Sequence, residues 1–400
     1  MQSRRIFLGK VASGIAGSIA TTGVLGANDR VRIGIIGVGD RGLQILREAA
    51  ACPGTEITAL CDVYSKRLDT AASEFPSART YSDYRRMCAD ASVDAILVAT
   101  PQHLHAEHFT AALDTGKHVY QEKTMAFTVD DAKRMRAAYA RAGSRRVVQI
   151  GHQACSSGHV TDASQFFASG NVGKVTAINA NMFRNTPHSK PQWTRPVSPD
   201  MTAETVAWPS FLGSAPMRPF DANRFVNWRF YWDYSGGNVF ENMCHQVAFW
   251  YKVMGLQIPK AVTMTGGLYL WKDGREVPDT MSVAMEQPEE ILFTWNSGFG
   301  NSELGVTEDV LGTDGTISRG QQIRYVPQKV NRKDLPENVG LTPTAPAAHM
   351  RNFVSAIRSG APVACPFDLG YRVSIACRMA VESYLQGRTV RWDPAREEIV

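Results

Sequence analysis

The chain has 400 residues, 44% of them apolar and 20% charged, with a net charge of +5. That is enough sequence for two cored domains and excludes a disordered chain. The scatter of Lys and Arg, never in runs longer than a pair, weighs against nucleic acid as a partner. The seven cysteines (Cys52, Cys61, Cys88, Cys155, Cys244, Cys365 and Cys377) are odd in number and lack C-x-x-C spacing, so neither a disulfide framework nor a metal site is expected.

Residues 1–27 stand apart. Paired Arg4-Arg5 precede Ile6-Phe7-Leu8, and a mild Gly/Ala/Ser/Thr-rich apolar run follows from Val11 to Leu25. The pattern resembles a twin-arginine export signal; a membrane anchor fits less well because the run is short and broken by glycine. It implies the twin-arginine export machinery as a partner and a periplasmic or other extracytoplasmic location. That route carries proteins already folded, so a bound cofactor is expected to travel inside.

From Val31 apolar strand-like runs alternate with helix-like ones, as a parallel doubly wound sheet requires. The first run breaks into the turn Gly37-Val38-Gly39-Asp40-Arg41-Gly42, followed by a helix from Leu43 to Ala51. In a G-x-G-x-x-G turn the first glycine takes the bend, the second lets backbone approach a pyrophosphate, and the third lets helix pack on strand. The next strand, 56–61, delivers Asp62 to the adenosine ribose, which favours NAD over NADP. Three glycines alone would mark only a loop; strand, turn, helix, strand and acid in order make a dinucleotide site. Helices over 66–75, 82–89, 106–115 and 129–141 alternate with strands over 93–99, 118–123 and 147–150, completing a six-stranded Rossmann domain over 28–151.

In the remainder, 152–400, runs over 175–183, 261–271, 281–286, 291–296 and 316–325 alternate apolar with polar. They predict a large, mostly antiparallel open sheet with one face covered and one free to pair with another subunit, hence a homo-oligomer. Helices are expected over 238–254, 349–359 and 370–386. The fold class is α/β: a Rossmann domain followed by a C-terminal α/β substrate and oligomerisation domain.

Ligands of doubly wound sheets bind beyond the carboxyl ends of the strands. Three such ends carry candidates: Thr100-Pro101 with His103 and His105, Glu122-Lys123, and Gly151-His152-Gln153. A lysine there can hydrogen-bond a substrate hydroxyl and position it for hydride transfer; a solvated strand-end charge is the plainer reading. Glu241 and His245 are spaced i, i+4 on one helix face, which suits an imidazole taking a proton from an alcohol while the acid orients it. A surface ion pair is the plainer alternative, and no third ligand is evident for a metal. Trp193, Arg229, Trp232 and Tyr234 could line a sugar site, or belong to the core of the second domain.

Taken together, these segments resemble the glucose-fructose oxidoreductase / inositol dehydrogenase family, Gfo/Idh/MocA. The resemblance rests on the glycine turn, Cys61-Asp62-Val63, the Thr100-Pro101 loop, Glu122-Lys123 and the run from Ser235-Gly236-Gly237 to His245, and it covers nearly all of the chain after residue 27. It implies an NAD-binding oxidoreductase for a carbohydrate or polyol, with Lys123 catalytic, Glu122 near the nicotinamide and His245 the general base. Three residues depart from the family pattern: Thr124 stands where proline is usual, Gln102 where Asn is usual, and Glu241 where Asp is usual, so the longer acid could hold substrate or His245 differently. No free NAD pool is expected outside the cytoplasm, so the cofactor should be retained and reoxidised by a second sugar-like substrate. Otherwise the reaction is redox-neutral, as in relatives that cleave glycosides by transient oxidation, elimination and water addition. A non-catalytic sugar- or nucleotide-sensing protein is the remaining alternative, and Lys123 and His245 argue against it.

Overall fold

Six short apolar runs build the first sheet: β1 (Val31–Ile36), β2 (Thr55–Cys61), β3 (Arg79–Tyr81), β4 (Ala95–Val98), β5 (His118–Gln121) and β6 (Val148–Ile150). In the computed structural model, which describes residues 30–330, 333 and 335–400, all of them pair in parallel in the order β3-β2-β1-β4-β5-β6. The export signal expected over residues 1–27 lies outside the described residues. Strand order reverses between β1 and β4, so a crevice opens beyond their carboxyl ends, where Gly37 and Thr100 follow. Every residue of β4 is buried, as a strand covered on both faces requires.

The second sheet has ten strands: β7 (Val175–Phe183), β8 (Ala261–Gly267), β9 (Thr280–Glu286), β10 (Leu292–Gly298), β11 (Val306–Gly312), β12 (Gly315–Arg319), β13 (Ile323–Pro327), β14 (Asn338–Val339), β15 (Val390–Asp393) and β16 (Glu398–Ile399). Their order is β14-β13-β12-β11-β7-β10-β9-β8-β15-β16, with β7 and β10 parallel and every other neighbouring pair antiparallel. One face packs on the helices Cys244–Met254 and Phe367–Gln386: Phe293, Trp295 and Val283 share a core with Val247, Trp250 and Val373. The other face turns Thr263, Thr265 and Ser282 to solvent. The mostly antiparallel open sheet is therefore present, with differences in detail. The run 316–325 is a hairpin rather than one strand, because Gly320 and the polar Gln321-Gln322 interrupt it. β11 was not expected: its alternation is masked by Glu308, a carboxylate buried to 1% exposure and paired with Arg319.

One helix returns to the first domain. Met350, Phe353 and Val354, on Ala348–Ser359, are buried in one core with Ile33, Ile45 and Leu46, so this helix closes a face of the Rossmann sheet although it follows the second domain in sequence. No helix among the described residues is long and apolar enough to cross a membrane.

Candidate active site

The glycines of the first turn do three different things. Gly37 sits at φ +91°, where a Cβ would lie 2.8 Å from the Ala99 carbonyl oxygen, and a Cβ on Gly42 would lie 1.9 Å from the carbonyl oxygen of Gly37. Both are closed to side chains. Gly39 faces open space instead: its nearest neighbour would be Arg67 Nη1 at 4.0 Å. Gly39 also caps the helix Asp40–Ala50 without any side-chain cap, so the first N–H groups are free for an anion. Asp62 accepts the Val38 N–H at 2.8 Å and the Tyr64 N–H at 2.9 Å, one on each carboxylate oxygen. It shapes the turn and keeps further acceptor capacity for ribose hydroxyls. A cleft of about 530 Å³ runs past these groups, lined by Gly37, Gly39, Asp40, Arg41, Gly42, Asp62, Thr100 and Pro101. These residues fit a dinucleotide, the pyrophosphate over Gly39 and the adenosine ribose at Asp62.

Other residues expected at the cofactor stand behind it. Val38 is buried to 1% exposure and offers only its backbone. The ring of His103 turns inward, Nε2 against the Phe211 carbonyl at 2.8 Å, and burial lowers its pKa to about 4. His105 bridges the carbonyls of Thr100 (2.9 Å) and Thr124 (2.8 Å). Both brace the loop rather than line the cleft, because the single 3-10 turn Gln102–Leu104 points them into the protein. Glu122 pairs with Arg41 at 2.9 Å, and Gln153 donates to Glu122 at 3.2 Å, making a second layer behind the glycine turn.

A strap from the second domain roofs the cleft. Val206 bridges antiparallel to Tyr64, with Ser65 N–H donating to the Thr205 carbonyl (3.0 Å) and Ala207 N–H to that of Val63 (2.8 Å). Arg195 reaches Asp40 at 3.2 Å. Sequence reasoning missed this element, since its polar, proline-containing run has no periodicity.

Beside the cleft, β5 runs into Lys123 and its ammonium meets Glu241 Oε2 at 3.1 Å, with the two side chains 13% and 10% exposed. Arg229 Nε lies 3.3 Å from the same oxygen, and Gln102 Nε2 donates to the other at 2.8 Å. Burial alone would raise the Glu241 pKa, but Arg229 and Lys123 outweigh it and hold the carboxyl at about 2. Burial likewise disfavours the Lys123 ammonium, and Glu241 more than offsets it, raising the lysine pKa. The Lys123–Thr124 peptide is cis, and Thr124 Oγ1 donates to the Phe240 carbonyl at 2.8 Å.

Glu241 was expected to orient His245, and it does not. The stretch Val239–Met243 is a π turn, which shifts the helix register before Cys244–Met254 begins and commits Glu241 to Lys123. His245 has no hydrogen-bond partner among the described residues; its neighbour is the fully buried His152, edge-to-face at 5.8 Å. Burial first, then Lys123 and three arginines, push the His245 pKa well below 6.5. The imidazole is therefore neutral at ordinary pH. His152, central to this arrangement, carried only the signal of standing at a strand end, and Gln102 that signal and its place where Asn is usual.

The residues expected at the substrate divide. Arg229 lines the cleft, its guanidinium 4.2 Å from the Trp228 ring. Trp193 packs on Phe299 (5.4 Å), and Trp232, partly buried, on Tyr384 (5.9 Å). Tyr234 is wholly buried among Phe211, Phe225 and Tyr231, where it is core.

The fold and site define a dinucleotide-binding domain joined to an open-sheet domain that adds a lysine–carboxylate pair and a histidine. Residues 31–152 match the Gfo/Idh/MocA oxidoreductase family, NAD-binding Rossmann fold. Over 150 residues the chain is 31% identical to 1-carboxy-3-chloro-3,4-dihydroxycyclo hexa-1,5-diene dehydrogenase of Comamonas testosteroni, covering 38% of this chain and 37% of that protein. Over 110 residues it is 36% identical to a glycosyl hydrolase family 109 protein of Streptomyces niveus, covering 25% and 22%. The matched stretches thus span well under half of either relative. Levoglucosan dehydrogenase, solved with NADH and levoglucosan, has the same fold over 90% of this chain and 99% of its own (TM-score 0.70, 18% identity).

Glu241→Gln should leave a buried ammonium unpaired and cost about 3–5 kcal/mol in denaturant unfolding at pH 7. Because the folded pKa is depressed from 4.5 to about 2, the gap to wild type is full above pH 4.5 and closes as pH falls through 2. An equal gap at pH 7 and at pH 2 would assign the loss to packing instead of charge.

Proposed function

We propose that the protein is an NAD-dependent oxidoreductase acting on a hydroxyl of a carbohydrate or polyol. The observation that carries this reading is a charged lysine and a neutral imidazole without a hydrogen-bond partner among the described residues, joined to a dinucleotide cleft through Arg229, which lines the cleft and reaches the lysine's carboxylate partner. Bound NAD supplies the hydride acceptor. His245 takes the hydroxyl proton, for which it must be neutral and free, and both conditions hold. Lys123 hydrogen-bonds the same oxygen and stabilises its developing negative charge. Glu241, Arg229 and Gln102 keep that ammonium charged and aimed. The carbinol loses a hydride and a proton and becomes a carbonyl.

Asp62 favours NAD, since its carboxylate would repel a 2′-phosphate; mass spectrometry of nucleotide released from the purified protein finds NADP instead if this is wrong. The strap supports a cofactor retained between turnovers and reoxidised by a second substrate. Retention suits the export signal at Arg4-Arg5, and cell fractionation that leaves the protein in the cytoplasm would remove that part of the reading. The polar outer face of the large sheet is the surface we assign to a second copy; a monomer by sedimentation would contradict it.

The strap and the Streptomyces niveus relative favour a second reading, redox-neutral glycoside cleavage in which hydride is removed and later returned. Release of aglycone without net reduction of the nucleotide distinguishes it.

Lys123→Ala and His245→Ala should each slow single-turnover reduction of the bound nucleotide by about 10²- to 10⁴-fold, read by nicotinamide absorbance after mixing with sugars. A variant within a few-fold of wild type would lose its assigned role. The pH dependence has a definite sign. His245 acts as base above its folded pKa, which lies well below 6.5, and Lys123 stays charged to above 10.5. The rate should therefore be level from pH 6.5 to 10.5, and half-loss at pH 6.5 would mean an imidazole with ordinary proton affinity.

A further inference from the structure

Four cations act on His245: Lys123, Arg41, Arg319 and Arg184. Three have a carboxylate of their own, Lys123 with Glu241, Arg41 with Glu122 and Arg319 with Glu308. Arg184 has none. It directly follows β7, is half-buried, and no acidic group offsets the burial that lowers its pKa.

Its position is nevertheless fixed. Arg184 N–H donates to the Gly298 carbonyl at 3.0 Å, and Nη2 donates to Asn242 Oδ1 at 3.3 Å and lies 3.8 Å from Met182 Sδ. Asn242 donates to Asn238 Oδ1 (2.5 Å), Asn238 to Ser297 Oγ (2.8 Å), and Ser297 to the Met182 carbonyl (2.7 Å). Each link in this chain donates in one direction, so the oxygen of Asn242 faces Arg184. Asn242 is next in the chain to Glu241, the partner of Lys123, and Arg184 is among the cations that act on His245, so the guanidinium stands at this same site. Nε and Nη1 have no acceptor among the described residues. A guanidinium has five donors in a planar fork, matched by the two oxygens of a carboxylate.

We propose that the substrate is a sugar acid whose carboxylate docks on Arg184 while the hydroxyl to be oxidised lies between His245 and Lys123. A half-buried guanidinium without a counter-ion is a cost that such a ligand removes, and a neutral sugar leaves it in place. The proposal rests on the oxidoreductase reading above and narrows its substrate class. Arg184 positions and selects; the proton and the hydride move as already described.

The test uses the full-length protein with its bound nucleotide. Binding by calorimetry and reduction of the nucleotide are measured for three pairs, glucose with glucuronate, galactose with galacturonate, and mannose with mannuronate, and for glucose 6-phosphate. The acid of at least one pair should bind about tenfold to a hundredfold more tightly than its neutral partner. Arg184→Met should collapse that ratio toward one through KM more than kcat, and Arg184→Lys should restore part of it. The wild-type comparison stands even if a variant fails to fold. Equal or tighter binding of every neutral sugar, stronger binding of the phosphate than of any acid, or a ratio unchanged in Arg184→Met overturns the proposal. If neutral sugars reduce the nucleotide and acids do not, this inference fails and the oxidoreductase reading stands; if no sugar of either kind binds or reduces it, that reading fails as well.

Discussion

One buried carboxylate joins the parts of the site. Glu241 receives Lys123 from the end of β5, Arg229 from the aromatic segment of the second domain, and Gln102 from the loop after β4. Desolvating a carboxylate and an ammonium costs several kcal/mol per ion, which is offset only when the remaining donors and acceptors are also matched. Here they are, on both oxygens of Glu241. Gln102 and Glu241, each one methylene longer than the residue usual in the family they resemble, are bonded to each other at 2.8 Å. The added length of each side chain is used in the same contact, so the two departures are a single feature.

The consequence for chemistry lies in what Glu241 leaves alone. Because it neutralises Lys123 rather than His245, the imidazole keeps both nitrogens open among the described residues and is held neutral by burial and nearby positive charge. An acid bonded to that ring would have raised its proton affinity, making it a stronger base but leaving more of it already protonated near neutral pH. The nucleotide cleft is governed by a comparable division of labour. Glycines 37 and 42 are shaped by contacts within the protein, Gly39 is left for a ligand, and the strap that bridges Tyr64 through Val206 adds Arg195, Pro196 and Met201 to the cleft wall.

Much of this was legible in the sequence, for identifiable reasons. The glycine turn, Asp62 and the buried strands are local signals, because tight bends and near-continuous apolar runs tolerate few other residues. Lys123 and His245 could be picked out as strand-end and helix-face groups. What could not be read were relations set by distant packing. The i, i+4 spacing of Glu241 and His245 suggested a pair, and a π turn redirected the acid. His103 and His105 sit close to the cofactor loop in sequence, but a single 3-10 turn points both inward. The helix Ala348–Ser359 reads as part of the second domain by its position in the chain, whereas Phe353 buries itself against β1. Arg184 had no sequence signal at all, since its significance is the absence of an acid near it in space.

Whether hydride moves between a sugar and the bound nucleotide can be settled by isotope. Sugars carrying deuterium at each carbinol carbon in turn are mixed with the full-length protein, the nucleotide is released by denaturation, and its mass is measured. Transfer from His245-activated substrate places deuterium on the nicotinamide for one labelled position, and redox-neutral cleavage does so transiently, visible on rapid quenching. A nucleotide that never gains deuterium from any position of a sugar that binds would contradict hydride transfer at this site.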